Sequence, residues 1–226
     1  MPIRSRQNRA PIHINDDRTL MVIPNLVETN FGIQRPRSRS KWIGTCLVAQ
    51  VSFTISSITG LKPMVLSKHI LRQLGHEGDA NGFTLEEILE AFETPVLTRQ
   101  GLVWLTLGVT VYKNVKCMIA AVLNGFPVIT IIPREVCDVL ENEAMAYGDG
   151  QTFSVAIRPA REDQYHSYLA IGFEVKNNLS PAEFVIVRDS RNEYCFKGYM
   201  KIGSQTLTAG WEHIRALSVD VLNVER

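Results

Sequence analysis

Trp42-Ile43-Gly44-Thr45-Cys46-Leu47-Val48-Ala49-Gln50 sets one cysteine between a Gly-Thr pair and an apolar run. From Leu47 the apolar positions 47, 48, 51, 55 and 58 recur at helical spacing. Thr45 suits the N-cap of that helix, and Thr59-Gly60 suits its end. Cys46 is then expected at the first helical position, beside the positive end of the helix dipole, where a thiolate is favoured. The nine residues leave two readings open: a small buried hydrophobe or a nucleophile held at a helix start. The choice depends on whether the chain also supplies a base, a group to orient it and a site for an oxyanion.

Outward from this stretch, three more helical segments are expected. One runs over Leu66–Leu74 with Ser67 near its start. Another follows Thr84, whose side chain can cap a segment carrying Glu86 and Glu87 in the first turn, where the dipole favours acids. The third covers about Lys116–Leu123 and closes at Asn124-Gly125. After Pro127 the pattern changes. VITII, TFSVAI, HSYLAIGF, EFVIV and GYMKIG are short, rich in β-branched and aromatic residues, and bounded by turn signals, as antiparallel strands are. Helices early and strands late indicate an α+β architecture with a cleft between the two parts. The expected organisation is an N-terminal arm over 1–41, then one domain whose helical half spans about 42–125 and whose β half spans about 126–226.

Composition narrows the classes. With 226 residues, 45% hydrophobic and 21% charged, the chain can bury a core and is not a disordered sequence. No apolar run approaches the ~18 residues of a membrane span. MPIRSRQNRAP is basic but lacks the apolar core of a secretory signal, so a cytoplasmic protein is expected. Net charge is +1 but uneven: residues 1–41 carry eight basic against three acidic side chains, a balance of +5, and the remainder balances at −4. A basic arm can contact nucleic acid, yet no aromatics are interleaved with its charges as single-strand binders require. The favoured reading is a solvated arm packed on its own body, with nucleic acid as the lesser alternative.

Cys46, Cys117, Cys137 and Cys195 show no CxxC and no paired spacing, which gives neither a zinc site nor a disulfide framework. His69 and His76 lie near Glu77 and Asp79, but Gly75 and Gly78 break the helix that would align them. No metal or cofactor is expected.

The base and its orienter are found in the β half. Of the five histidines, His166 begins an expected strand, and the strand Phe184–Arg188 ends on Asp189-Ser190. Antiparallel pairing can bring the end of one strand beside the start of the other. Asp189 can then accept from one ring nitrogen of His166 while the other faces Cys46.

Here the chain resembles the papain-like, cathepsin-type cysteine peptidases over about residues 40–202. Gly44-Thr45-Cys46 is similar to the family's Gly-Ser-Cys, and Val65-Leu66-Ser67 to the segment entering its next helix. Asn81-Gly82 resembles the start of its Asn-Gly-Gly substrate loop, and Gly125-Phe126-Pro127-Val128 its Gly-Pro-Val. His166 heads a strand ending in Gly172-Phe173, similar to the family's His strand and its Gly-Tyr. Val187-Arg188-Asp189-Ser190 and Gly198-Tyr199-Met200-Lys201-Ile202 resemble its Lys-Asn-Ser-Trp and Gly-Tyr-x-x-Ile.

The resemblance implies a papain-like α+β fold and hydrolysis of a peptide, protein or related amide. It implies Cys46 as nucleophile, His166 as base and acid, Asp189 as orienter, and the Cys46 backbone N–H as an oxyanion donor. Ser40 falls where the family has its oxyanion Gln, and Asn81, Gly82 and Phe83 where it has its substrate groove, with Phe83 replacing a Gly. Leu47 and Arg191 stand where the family has Trp. The family's disulfide positions fall on Ile43 and Ala80, so both halves of that bridge are absent together, as suits a reducing compartment. The alternative reading is a catalytically silent papain fold serving as an interaction or structural module, with Phe83 plugging the groove.

Overall fold

The computed structural model describes residues 11–15, 18–22, 46–75, 83–137, 165–176, 184–190 and 199–226. The helix α1 spans Cys46–Thr59, and every residue from Leu47 to Ile55 is buried. A helix buried on all sides belongs at the centre of a fold rather than on its surface. Both of its threonines donate back along the helix: Thr54 to Gln50 O at 3.0 Å and Thr59 to Ile55 O at 2.8 Å. The helix stops at Gly60, whose φ of 74° a side chain would resist.

Helix α2 covers Pro63–Leu74, three residues earlier than the expected start at Leu66. Pro63 occupies the first turn, where its fixed φ and missing N–H are no liability. Helix α3, Leu85–Glu90, begins with a capping box: Thr84 accepts from Glu87 N while Glu87 reaches back to Thr84 N. It runs on into a 3₁₀ turn at Ala91–Glu93. Helix α4, Val115–Leu123, is capped by Asn114, whose side chain accepts from Cys117 N at 2.9 Å. A short α5 covers Ser204–Ala209.

Nine strands are described: β1 (Pro11–Asn15), β2 (Arg18–Val22), β3 (Val96–Thr98), β4 (Gly101–Val111), β5 (Val128–Pro133), β6 (Tyr165–Lys176), β7 (Phe184–Arg188), β8 (Tyr199–Gly203) and β9 (Arg215–Glu225). They form one antiparallel sheet in the order β1-β2-β6-β5-β9-β4-β3, with β7 and β8 branching from β6. β6 organises the branch. Its first half pairs with β5 and its last residues with β2, while β7 pairs with 169–174 along the opposite edge.

Four of these strands match the expected apolar runs. The hairpin β3–β4 and the long β9 are additions that the sequence reading does not contain, and the hairpin falls inside the stretch assigned to the helical half. The described part of the arm joins the sheet through the pairing of β2 with β6. TFSVAI, expected as a strand, lies outside the described residues, as does Thr45, expected as the N-cap of α1.

Around β5, β6 and β7 the sheet is covered on both faces, so these strands read as continuous apolar runs, whereas β4 alternates and leaves one face open. Leu169 and Ile171 of β6 join a core with α1, α2 and Ile88 of α3, whereas Tyr168 and Ala170 join a second core with α4 and Leu207. β7 divides in the same way, Ile186 going to the first core and Val185 and Val187 to the second. Within the first core α1 packs against α2, β6 and β9. Among the described residues no helix is long and apolar enough to cross a membrane.

Candidate active site

Cys46 opens α1 and is half-buried, just before the fully buried run of the helix. The first N–H groups of any helix have no acceptor within it, so the Cys46 N–H is available to an anion. His166 is the second residue of β6 and Asp189 follows the last residue of β7. The antiparallel register sets Leu169 opposite Arg188, so the end of β7 runs beside the start of β6. That pairing carries the carboxylate to the imidazole.

His166 Nε2 lies 3.1 Å from Asp189 Oδ2, with both side chains buried. The other carboxylate oxygen accepts from Ser190 Oγ at 3.4 Å. Tyr168 meets the imidazole edge-on, with ring centroids 4.9 Å apart and planes at 86°, which restrains rotation of the ring. The Cys46 thiol is in hydrogen-bonding contact with the same imidazole.

The electrostatics follow from this contact. Burial alone would raise the Cys46 pKa, but the charge on His166 and its hydrogen bond outweigh it and bring the thiol down to about 7. Burial would lower His166, but the Asp189 carboxylate, and then the Cys46 thiolate, hold its proton and push it up to about 9. Between about pH 7 and pH 9 the favoured state is a thiolate facing an imidazolium.

The structure therefore brings together three of the residues singled out in the sequence. Phe83 is a core residue. It is 6% exposed and its ring belongs to the first core, with Leu47, Ile88 and Phe92 among that core's members. Ser40, Asn81 and Gly82 lie outside the described residues, as do His76, Glu77 and Asp79. His69 is buried and its Nε2 donates to Ala91 O at 2.8 Å. A groove of about 390 Å³ between Leu89, Phe92, Trp104 and Leu107 has none of Cys46, His166 or Asp189 in its wall.

One residue at the site was missed. Gln50 is fully buried on α1, and its amide nitrogen donates to Ser167 O at 3.1 Å and Arg188 O at 3.3 Å. The signal was a lone amide among apolar neighbours, one turn beyond the cysteine.

The solved structure of xylellain, a cysteine protease from Xylella fastidiosa, matches the chain with a TM-score of 0.54 at 11% identity, covering 80% of this chain and 81% of that one. The fold is papain-like. No family model matches the chain, and no curated protein matches it in sequence. At so low an identity the likeness belongs to the backbone. The papain-like frame accounts for a central helix that presents its N-terminus to the edge of a sheet.

Proposed function

We propose that this protein is a cysteine-dependent hydrolase of peptides or related amides, working through Cys46, His166 and Asp189. The observation that carries the proposal is the buried contact at 3.1 Å between His166 Nε2 and Asp189, with the thiol at the start of α1 on the same imidazole. The thiolate Sγ attacks the acyl carbon and the carbonyl electron pair moves to oxygen. The Cys46 N–H donates to that oxyanion, and such a donor is worth far more here than in water. As the tetrahedral species collapses, the C–N bond breaks and imidazolium His166 gives its proton to the leaving amine. His166, now neutral, takes a proton from water, and the resulting hydroxide attacks the thioester. Release of the acid restores the thiolate and imidazolium. Asp189 holds the ring in the orientation both transfers need and stabilises its charged form. Ser40 is retained as the proposed second oxyanion position, and a reducing compartment suits the free thiols of Cys46, Cys117 and Cys137.

The test is single-turnover acylation by an activated ester, with the thioester located by mass spectrometry, in the wild type, Cys46→Ala and Ser40→Gln. Acylation confined to Cys46 and followed by hydrolysis is expected, with Ser40→Gln raising the rate by supplying a longer donor. An acylation rate unchanged by Cys46→Ala would remove the hydrolase reading and leave the papain-like fold as a silent module.

A further inference from the structure

Gln50 stands one helical turn beyond Cys46 with no exposed surface. An amide nitrogen carries two protons, and here each has its own acceptor, Ser167 O at 3.1 Å and Arg188 O at 3.3 Å. Ser167 is the residue after His166, and Arg188 is the residue before Asp189. One side chain on the nucleophile helix thus grips the backbone beside the base and the backbone beside the base's orienter. The hydroxyls of Thr54, Ser57 and Thr59 donate back to carbonyls of their own helix. The Gln50 carbonyl Oε1 is buried without a hydrogen-bond partner among the described residues. A buried acceptor left unpaired works against folding, so stability alone favours an apolar side chain of the same volume at this position.

We propose that Gln50 is a positioning residue: it fixes α1 against the β6–β7 pair and so sets how Cys46 meets the His166–Asp189 pair. The proposal rests on the hydrolase reading above. Reacting groups misplaced by an ångström lose much of their effect, and a loose α1 would separate thiolate from imidazolium without unfolding the sheet.

The experiment is site-resolved alkylation of the full chain by iodoacetamide at pH 6.5 and 9.5, read by mass spectrometry at two cysteines. Cys46 reports the pair, and Cys137, buried with 0% exposure, reports the fold. The variants are Gln50→Met, which keeps the length and loses both donors, and Gln50→Asn, which keeps the amide but is too short to reach both carbonyls. Ser52→Ala removes another buried polar group of α1 and serves as the control. Both Gln50 variants should lose about fivefold to tenfold in Cys46 alkylation at pH 6.5, because the thiolate fraction falls faster than nucleophilicity rises. At pH 9.5 they should react at least as fast as wild type, since the thiol is then largely ionised in all of them and the higher-pKa thiolate is the better nucleophile. They should keep Cys137 protected, and differ at pH 6.5 from Ser52→Ala, which should follow wild type throughout. Wild-type behaviour of Cys46 in either Gln50 variant, or loss of Cys137 protection in both, would overturn the positioning role. An ordinary thiol titration in the wild type itself would instead sink the hydrolase reading, and this proposal with it.

Discussion

At the Cys46 thiol two effects oppose each other, and the balance sets the pH range in which the proposed hydrolysis can run. Burial favours the neutral thiol, while the imidazolium beside it favours the thiolate strongly enough to bring the pKa to about 7. His166 is held protonated up to about 9 by Asp189 and by the thiolate. Both limbs belong to the coupled pair rather than to one residue each. We expect kcat/KM for an ester or peptide to rise through about pH 7 and fall through about pH 9. Asp189→Asn should keep the ring oriented but move the basic limb downward, since the carboxylate charge is the main force holding the proton. A pH–rate profile of both proteins checks this; an unmoved basic limb would show that Asp189 does not control His166. At the same scale, the ring of Phe83, read from the sequence as plugging a groove, lies in the first core. Phe83→Ala should therefore cost about 3–5 kcal/mol of stability, as measured by denaturant unfolding, rather than open a groove.

Among the elements, those with local chemistry at their ends were the most legible. Thr84 and Glu87 announce α3 by their spacing, and the box forms, with Glu87 N donating to Thr84 Oγ1 at 3.2 Å. Thr84→Ala should cost about 1 kcal/mol in unfolding free energy. The start of α4 fell within a residue of the expectation, but that of α2 was placed late, because the start signal there is Pro63 rather than the apolar periodicity. The strands β4 and β9 were missed for a different reason. Their runs LVWLTLGVTV and ALSVDVLNV are rich in β-branched residues, but β4 lies between helices in sequence, and beyond its short hairpin partner β3 it pairs only with the distant β9, where Thr110 meets Ser218. His69 couples α2 to the 3₁₀ turn through Ala91 O. Burial lowers its pKa below 6.5, and nearby Arg72 adds to this while its bond to Ala91 O opposes. The folded state therefore prefers the neutral ring, so its contribution is whole above pH ~6.5 and is lost as pH falls toward the folded pKa. The Tm of His69→Gln should fall less between pH 7.5 and pH 5 than that of the wild type; parallel curves would rule His69 out as a source of the acid sensitivity.

Across the described molecule, one sheet holds α1 in place, and the candidate site lies where the helix start meets two strand ends. Cys46, His166 and Asp189 were legible because each sits at an element boundary that the sequence marks. Gln50 was not, because its two acceptors lie 117 and 138 residues away and are backbone carbonyls, which no residue pattern announces. The central claim is that this assembly keeps a thiolate beside an imidazolium at neutral pH. It is tested most directly by the rate of Cys46 alkylation against pH in the wild type and in His166→Ala. The account predicts a wild-type profile with its midpoint near 7 and a His166→Ala profile moved toward the ~8.5 of a free thiol or above. Coincident profiles in the two proteins would contradict it.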